Sequence, residues 1–379
     1  MGNWQGTVAR VEHMICFNDV YRDRRVLVTG HTGFKGSWLS LWLKQLGAEV
    51  GGFSLDTPSP LSNFELLGLE QHLHHYVGDI RDISRLAQVI DEFKPDIVFH
   101  LAAQALVRRS YVDPVTTFET NTMGMVNLLE CVRTRPWISA AVLITSDKVY
   151  RNVEWCWGYR ETDVLGGNDP YSGSKSCADL VAQSYFHSYL RHTPTHVAIT
   201  RGGNVIGGGD WAEDRILPDC FRAWSLGESV EIRSPEATRP WQHVLEPLSG
   251  YLWLGAKLMQ QADGLNGESF NFGPDANVNQ TVAELLDAMT IRWPGAEWQI
   301  PHRFEDSGHE AQLLKLSCDK ALLHLGWKAI MQFSETVAYT VDWYRSWHDG
   351  TQDMNSYTVE QIEQYCQLAK ARGAEWNRD

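Results

Sequence analysis

The sequence predicts an α/β protein with a doubly wound parallel sheet and a smaller mixed α/β lobe towards the C terminus. Short apolar runs alternate with amphipathic segments from about Arg24 onwards, as parallel βαβ units require. A glycine-rich G-x-x-G-x-x-G segment joins the first strand to the first helix. The alternation ends after Arg201, where a loop rich in glycine begins.

The elements follow in order from local patterns. The apolar run at residues 25–29 predicts the first strand, and Gly47 ends the helix over residues 37–46 as its C′ residue. Further strands are predicted over residues 49–55, 76–77, 96–101, 141–145 and 196–200. Further helices are predicted over residues 84–93, 117–133 and 171–190. Residues 269–272 are expected to return a strand to the sheet, and residues 281–289 and 318–325 to form helices of the second lobe.

This pattern divides the chain into three parts. Residues 1–23 are expected to be a weakly structured N-terminal extension. Residues 24–203 are assigned to a Rossmann domain, with a return segment near residues 241–273. Residues 204–240 and 274–379 are assigned to the second lobe, which is expected to bind the substrate.

Composition excludes several classes of partner. The 379 residues carry a formal charge of −14, which disfavours non-specific binding to nucleic acid or to anionic membranes. No apolar run is long enough to span a bilayer. Seven widely spaced cysteines without C-x-x-C, and no pattern of a signal peptide, predict a cytoplasmic protein with reduced thiols. The histidines at 72, 74 and 75 lack other ligands at suitable spacing, so no metal is expected.

The glycine-rich loop predicts a dinucleotide site. Glycines let the backbone approach a pyrophosphate, and the helix N terminus supplies amides and a partial positive charge. Asp56 lies 20 residues after Gly36, where a carboxylate can bind a ribose 2′-hydroxyl, which favours NAD over NADP. A solvent-exposed Asp56 without this role is about equally compatible with the pattern. The loop residues expected at the cofactor are Gly30, Thr32, Gly33, Phe34, Lys35 and Gly36.

Other cofactor contacts are expected where later strands end. Asp79 and Ile80 follow the third strand, near the expected adenine position, although Asp79 could equally cap the next helix. Small residues after the fourth strand would let a cofactor cross the sheet at its switch point. The residues expected there and at the end of the fifth strand are Leu101, Ala102, Ala103, Gln104 and Thr145.

Two segments predict catalytic chemistry. Tyr171 and Lys175 form Y-x-x-x-K and share one helix face, so the lysine ammonium can favour the phenolate. Ser146, Asp147 and Lys148 follow the fifth strand, at the end of the sheet that faces a ligand crevice. The alternative for this second segment is a polar turn with an Asp–Lys ion pair.

With these motifs the chain resembles the extended short-chain dehydrogenases/reductases, from about Arg24 to about Gly350. The Ser146–Tyr150 segment is similar to the T-D-E-V-Y signature of the nucleotide-sugar 4,6-dehydratases within that family. Further motifs that carry this resemblance are G-H-T-G-F-K-G-S-W-L from Gly30, R-G-G-N-V-I-G from Arg201, G-G-G-D-W-A-E-D-R from Gly207 and R-P-W-Q-H-V from Arg239.

The resemblance implies a reaction and roles. Tyr171 would take the proton of the 4-hydroxyl while NAD accepts hydride from C4, and Ser146 would hydrogen-bond the 4-oxygen. Lys175 would also hold the nicotinamide ribose. A base would remove the C5 proton, Asp147 would protonate the departing 6-hydroxyl, and hydride would return to C6.

The resemblance further implies CDP-glucose as the substrate. The alternatives are another sugar nucleotide, dTDP-glucose or GDP-mannose, and a nucleotide-sugar 4-epimerase with the same Tyr–Lys pair. An epimerase needs no acid for a leaving 6-hydroxyl, so Asp147 and Lys148 favour dehydration.

Two departures from the family pattern bear on mechanism. Lys148 stands where relatives acting on dTDP-glucose have a glutamate, so it is either the C5 base or a cation that stabilises the enolate. His31 and Lys35 replace small or apolar residues in the glycine-rich loop. The bulk of His31 is expected to loosen the retention of NAD.

The substrate's diphosphate needs cations in an acidic chain. Arg201, Arg215, Arg239 and Arg303 are candidates, with Arg108 and Arg109 as an alternative pair. Asn204 matches the position at which the family grips the sugar diphosphate, while Trp211 and Trp241 could stack on sugar or base. By resemblance, helices 117–133 and 171–190 form a homodimer interface.

Overall fold

A computed structural model describes residues 14–57, 61–275, 278–301 and 313–378, so Arg303 lies outside the described residues. The central sheet is parallel throughout, which confirms the predicted doubly wound fold. Its strands, in chain order, are β1 (Arg25–Thr29), β2 (Glu49–Ser54), β3 (His74–Val77), β4 (Ile97–His100), β5 (Ala140–Ile144), β6 (His196–Gly202) and, after shorter strands, Ser269–Phe272. That last strand is the predicted return strand.

Shorter strands belong to the segments after the first six strands. They form three two-stranded sheets and are β7 (Val205–Ile206), β8 (Val230–Glu231), β9 (Thr238–Arg239), β10 (Gln242–His243), β12 (Gln280–Thr281) and β13 (Trp298–Gln299). The strand Ser269–Phe272 of the main sheet is β11. The order in the main sheet is β11-β6-β5-β4-β1-β2-β3. The order reverses between β1 and β4, so the carboxyl ends of these two strands border the crevice in which such sheets bind ligands.

Helices cover both faces of the main sheet. They are α1 (Phe34–Gln45), α2 (Asn63–Leu66), α3 (Ile83–Phe93), α4 (Val107–Val112), α5 (Pro114–Phe118), α6 (Gly124–Arg133), α7 (Pro170–Ser188), α8 (Ile216–Ser225), α9 (Leu245–Met259), α10 (Val282–Thr290), α11 (Asp319–Leu325), α12 (Phe333–Asp349) and α13 (Met354–Ala371). None of the helices in the described parts of the chain is both long and apolar enough to cross a membrane.

The predicted helix 117–133 is interrupted. A π-helical turn, Glu119–Met123, joins α5 to α6. Such turns are frequent at functional sites. Here it carries the buried Asn121 towards Gln104 and Ser174.

The N-terminal assignment needs correction from residue 14 onwards. Phe17 and Tyr21 are completely buried instead of lying in a weakly structured extension. The Phe17 ring stacks on Trp376 near the C terminus, with 5.0 Å between centroids, and contacts Trp42 of α1. The segment around Phe17 and the segment around Trp376 therefore pack together on one side of the Rossmann core.

Two long C-terminal helices, α12 and α13, were not predicted. Although residues 274–379 were assigned to the second lobe, α13 packs against the Rossmann half. Tyr365 of α13 contacts Trp42 of α1 at 5.8 Å between centroids and donates a hydrogen bond to Glu246 of α9. The hydrophobic core is therefore continuous across the boundary between the lobes, and helix α13 packs on the dinucleotide-binding half.

Candidate active site

The β1–α1 turn has the shape that a dinucleotide requires. Gly30 has φ +75°, and a Cβ added there would lie 2.7 Å from the backbone nitrogen of Ala102. A Cβ at Gly36 would lie 2.1 Å from the carbonyl oxygen of Gly30. Only glycine fits both places, which brings the turn, the N terminus of α1 and the end of β4 together as a pyrophosphate-binding loop.

Other loop side chains hold the turn in place. The hydroxyl of Thr32 shares a hydrogen bond of 2.7 Å with Ser54 at the end of β2. The Phe34 ring lies 3.3 Å from the Cβ position of Gly207, so it contacts the loop after β7. Gly33 is the N-cap of α1 and leaves the first amides of that helix accessible.

His31 does not obstruct this loop in the way the sequence suggested. Its ring is buried against Gly52 of β2, and its Nε2 hydrogen-bonds Nδ1 of His75 at 2.7 Å. Burial lowers the pKa of His31 to about 3, and the neighbouring His75 adds to the effect. Because its bulk is accommodated beside β2 and β3, the steric reason for loose NAD retention is wrong.

The residues expected near adenosine differ in their availability. Asp56 is exposed just beyond β2, and its Oδ1 accepts a hydrogen bond from the amide of Thr57. Asp79 is paired with Arg81 at 2.6 Å, and this hydrogen bond lowers the pKa of Asp79. Ile80 is buried against Gly124, so its side chain belongs to the core and only its main chain can border a cofactor.

The segment after β4 is fixed by the π-turn. Leu101, Ala102 and Ala103 are half-buried beside the glycine-rich loop. The amide of Gln104 donates to Oδ1 of Asn121, whose Nδ2 donates to the Gln104 carbonyl and to Oγ of Ser174 on α7. Asn121 thus holds the crossing point between the two halves of the sheet.

The catalytic segment after β5 is a short 3-10 turn, Asp147–Val149, capped by Ser146. Oγ of Ser146 accepts from the amide of Lys148 at 3.2 Å and donates to Oδ1 of Asp147 at 3.0 Å. Asp147 is buried, and burial raises its pKa against the opposing effects of Lys148 and Ser146. A carboxyl group in this state retains its proton more readily than an exposed aspartate, as a general acid requires.

Tyr171 and Lys175 lie in the first turns of α7, which begins at Pro170 with Asp169 as its N-cap. The structure brings the Tyr171 phenol close enough to Ser146 and Asp147 for both residues to influence its pKa. Burial raises the pKa of Tyr171, and the Ser146 hydroxyl and the charge of Arg215 oppose that rise. The lysine predicted to favour the phenolate is therefore not the main charge acting on it.

The amines of the site influence each other. Burial, and then the charge of Lys35, lower the pKa of Lys175 to about 8. Burial and the charge of Arg215 lower the pKa of Lys35 to about 8, while Asp147 opposes this. Lys35 was expected to serve only the cofactor, yet its charge acts on the catalytic groups. Lys148 is half-buried beside Asp147, and its charge opposes the rise in that carboxyl's pKa.

Arg201 does not reach the substrate. Its guanidinium is buried and forms two hydrogen bonds of 2.8 Å with the carboxylate of Asp179. It also donates to the hydroxyl of Tyr150, the carbonyl of Glu161 and Oγ of Ser269. Because its donors are used inside the core, the prediction that it binds diphosphate is wrong.

The two tryptophans proposed to stack on a ligand are also core residues. Trp211 is buried against Tyr344 and Trp347, at 5.2 and 4.6 Å between centroids. Trp241 is buried and donates its indole hydrogen to the carbonyl of Gln280. Neither ring presents a free face, so both predictions are corrected.

Arg215 is the predicted arginine that does lie among the catalytic groups. Its guanidinium pairs with Asp210 at 2.8 Å and is still partly exposed. Arg239 and Asn204 are half-buried on neighbouring segments, and Arg239 donates to the carbonyl of Thr238. Arg108 pairs with Asp214, at the rim of the same loop.

Some residues around the site were missed by the sequence analysis. Asp179 lies four residues after Lys175 on α7, and it accepts hydrogen bonds from Thr145 and Arg201. Thr145, expected to touch the cofactor, thus uses its hydroxyl inside the protein. The i, i+4, i+8 spacing of Tyr171, Lys175 and Asp179 was the available signal. No local pattern marked Asn121, because its role depends on the π-turn.

Comparison with known proteins agrees with this geometry. A family model described as GDP-mannose 4,6 dehydratase matches residues 27–340. The CDP-glucose 4,6-dehydratase of Salmonella typhimurium is 47% identical over 351 residues, which are 91% of this chain and 97% of that protein.

Solved structures show the same fold. A dTDP-glucose 4,6-dehydratase from Streptomyces venezuelae, with NAD bound, has a TM-score of 0.70 and 27% identity over 85% of this chain and 97% of its own. The UDP-glucose 4-epimerase of Thermus thermophilus, in complex with NAD, has a TM-score of 0.71 and 26% identity over 85% of this chain and 99% of its own. Because both activities share the backbone, the side chains of the site must distinguish them.

Proposed function

The chain belongs to the GDP-mannose 4,6-dehydratase family of extended short-chain dehydrogenases/reductases, and we propose that it converts CDP-glucose to CDP-4-keto-6-deoxyglucose as an NAD-dependent hydro-lyase. The observation that carries this function is Asp147, a buried carboxyl group next to Tyr171, in a chain 47% identical to a CDP-glucose 4,6-dehydratase. An epimerase has no step that uses such an acid.

When bound, NAD would supply the redox chemistry of the cycle, which is removal of hydride from C4 and its return to C6. The loop with Gly30 and Gly36 fits its pyrophosphate, since a Cβ at either position would collide with backbone. Asp56, exposed beyond β2, is placed to receive the ribose hydroxyls, and the buried amine of Lys175 lies at the carboxyl end of β5, where it donates to the carbonyl of Ile144.

Residues of the chain carry out the proton transfers of the reaction. Tyr171 takes the proton of the 4-hydroxyl, and Ser146 hydrogen-bonds the same oxygen as it becomes a carbonyl. The 4-ketone acidifies the C5 hydrogen, which a base removes as an enolate forms. Asp147 gives its proton to the 6-oxygen while the C6–O bond breaks, and water leaves. When hydride returns to C6, the protonated base gives its proton back to C5. Burial raises the pKa of Asp147, which favours the protonated form that this step uses.

Lys148 is the proposed partner for the C5 proton. Its backbone amide donates to Oγ of Ser146, and it follows Asp147 directly in the chain. We therefore propose that the amine of Lys148 acts at C5 while the carboxyl group of Asp147 acts at C6. In the Lys148→Met variant we expect exchange of the C5 hydrogen with solvent deuterium to be largely lost if Lys148 is the base. Retained exchange with slower elimination would assign it instead to electrostatic stabilisation of the enolate. Mass spectrometry of recovered substrate separates these outcomes.

The diphosphate is proposed to bind Arg215, Arg239 and Asn204. Arg215 is partly exposed beside the catalytic residues, and guanidinium groups match phosphate oxygens in pairs. Arg215 and Arg239 provide local positive charge that attracts an anionic substrate, although the chain as a whole carries a charge of −14.

The activity is tested by turnover with NAD and each of four substrates, CDP-glucose, dTDP-glucose, UDP-glucose and GDP-mannose. We expect a 4-keto product, detected by its absorbance in base, with CDP-glucose alone. Product from a different nucleotide would keep the mechanism and overturn the substrate. UDP-galactose from UDP-glucose, without a keto product, would instead identify an epimerase.

A homodimer is also proposed, in the cytoplasm. All seven cysteines are unpaired, which suits a reducing compartment. Four residues around α4 and α5 expose apolar side chains, namely Tyr111, Val112, Val115 and Phe118. Val115 and Phe118, with Met123, also line a groove of about 450 Å³. Sedimentation velocity is expected to show a dimer that Val115→Asp dissociates. The control, Leu323→Asp on exposed α11, is expected to remain dimeric.

A further inference from the structure

Asp179 joins α7 to two neighbouring strands of the main sheet. It lies on α7, one helical turn after Lys175, and its side chain is completely buried. Its carboxylate accepts two hydrogen bonds from Arg201 on β6 and one from Gln183. The hydroxyl of Thr145, which directly follows β5, donates to Oδ2 of Asp179 at 3.2 Å. One charged group therefore contacts α7, β6 and the end of β5.

The hydroxyl hydrogen of Thr145 has two acceptors within reach, and the carboxylate is the better one. The carbonyl oxygen of Thr200 lies 3.1 Å from this hydroxyl, but it already accepts the backbone amide of Thr145 at 2.8 Å. The carboxylate of Asp179 carries negative charge, and hydrogen bonds to charged acceptors are stronger. Thr145 is only 5% exposed, so bulk water competes little for the hydrogen. The Thr145–Asp179 contact is therefore a direct link between the end of β5 and α7.

The residues on both sides of this link are catalytic. Ser146 directly follows Thr145 in the chain, and Tyr171 lies about two helical turns before Asp179 on α7. In the proposed oxidation of C4, Tyr171 and Ser146 act on the same oxygen atom. Their spacing depends on how firmly the end of β5 is held to α7, and a small displacement of reacting groups slows a reaction strongly.

Resting on the proposed function, we propose that Asp179 is a positioning residue that acts through the hydroxyl of Thr145. The link holds the Ser146 hydroxyl and the Tyr171 phenol at the spacing that oxidation of C4 requires. Because Asp179 is completely buried, it touches no atom of the substrate itself. Its charge also opposes the lowering of the pKa of Lys175 by burial, and so favours the ammonium form of that catalytic amine.

Thr145→Val tests the proposal and leaves the carboxylate and its arginine partner in place. Valine keeps the β-branched shape and removes the hydroxyl link. We expect kcat for CDP-glucose to fall roughly 10-fold with little change in KM, because the reacting groups lose their alignment. Thr145→Ser keeps the hydroxyl and should retain most of the wild-type kcat, although it lacks the methyl group. Asp179→Asn is less suitable, because it leaves the buried guanidinium of Arg201 without a counter-charge and is expected to destabilise the fold.

Thr195→Val is the matched control. Thr195 is also buried, and its hydroxyl donates to the carbonyl of Ile138 at 2.7 Å, but it lies just before β6, at the opposite end of the strands. Both valine variants should show similar shifts of the midpoint of urea unfolding, whereas only Thr145→Val should lose kcat. A merely structural role of the Thr145 hydroxyl would give the two variants the same kinetics.

Two further results would overturn the proposal. An unchanged kcat in folded Thr145→Val, or an equal loss in Thr145→Ser, would show that the hydroxyl link does not position the site. Weaker binding of NAD with unchanged kcat at saturating NAD, measured by fluorescence titration, would assign Thr145 to the cofactor instead. The wild-type assay with four sugar nucleotides tests the proposed function separately, and the variants are compared on the one that the wild type converts.

Discussion

Two Arg–Asp pairs near the end of β6 have the same N···O distance and different roles. Arg201 and Asp179 lie 2.8 Å apart with side chains 1% and 0% exposed. Arg215 and Asp210 also lie 2.8 Å apart, but Arg215 is 36% exposed. The remaining donors of Arg201 form hydrogen bonds with Tyr150 and Ser269, whereas the guanidinium of Arg215 is still partly exposed towards the crevice. Remaining hydrogen-bonding capacity, and not pair distance, distinguishes a structural arginine from one that can bind a ligand.

The largest effect is expected from Arg201→Lys. One ammonium cannot replace the five hydrogen bonds of the guanidinium, so buried acceptors are left unsatisfied and the free energy of unfolding should fall by about 3 kcal/mol. Urea unfolding measures this change. An unchanged unfolding midpoint would remove the basis for calling this pair structural.

The next effect concerns His243, which lies behind the loop that carries Arg215. Its Nε2 is buried without a partner, and burial lowers its pKa to about 3. Below pH ~6.5 His243 is protonated in the unfolded chain but stays neutral in the folded chain. The free energy of unfolding therefore keeps the contribution of neutral His243 above that pH and loses it as the pH falls.

The variant His243→Phe removes that titration. The loss of stability between pH 6.5 and 5 should become smaller by about 2 kcal/mol, from about 1.4 kcal/mol per pH unit. Urea unfolding at both pH values checks the difference. An identical loss in wild type and variant would show that folding does not change the pKa of His243.

Arg215→Lys is the matched counterpart of Arg201→Lys and should affect function instead of folding. We expect kcat/KM for CDP-glucose to fall roughly 10-fold, or about 1.4 kcal/mol, because a point charge replaces a fork that suits diphosphate. The unfolding free energy should remain within about 1 kcal/mol of wild type. A large stability loss without a kinetic effect would reverse the contrast between the pairs.

The smallest effect is expected from Asp210→Asn. Arg215 can turn towards solvent when its partner loses charge, so stability should fall by less than about 1 kcal/mol. The amide oxygen can still accept from the backbone of Ala212, which preserves the turn. Thermal unfolding provides the measurement, and a loss as large as that of Arg201→Lys would place both pairs in the same class.

Much of the fold was accessible from the sequence because its signals are local. Alternating strands and helices gave the parallel sheet and even the return strand Ser269–Phe272. The N-terminal residues 14–23 and helix α13 were misjudged because their burial depends on each other. Phe17 is apolar in a segment without periodicity, and its contacts with the distant residues Trp376 and Trp42 explain its position.

The site divides along the same line. The sequence by itself determined the glycine-rich loop, the Tyr171–Lys175 pair and the acid at Asp147, since each depends on residues adjacent in the chain or on one helix face. Only the tertiary structure decided that the hydrogen-bonding groups of Arg201 are used in the core and that Arg215 stays available. Hydrogen-bonding capacity depends on which distant groups surround a side chain, and local sequence does not contain that information.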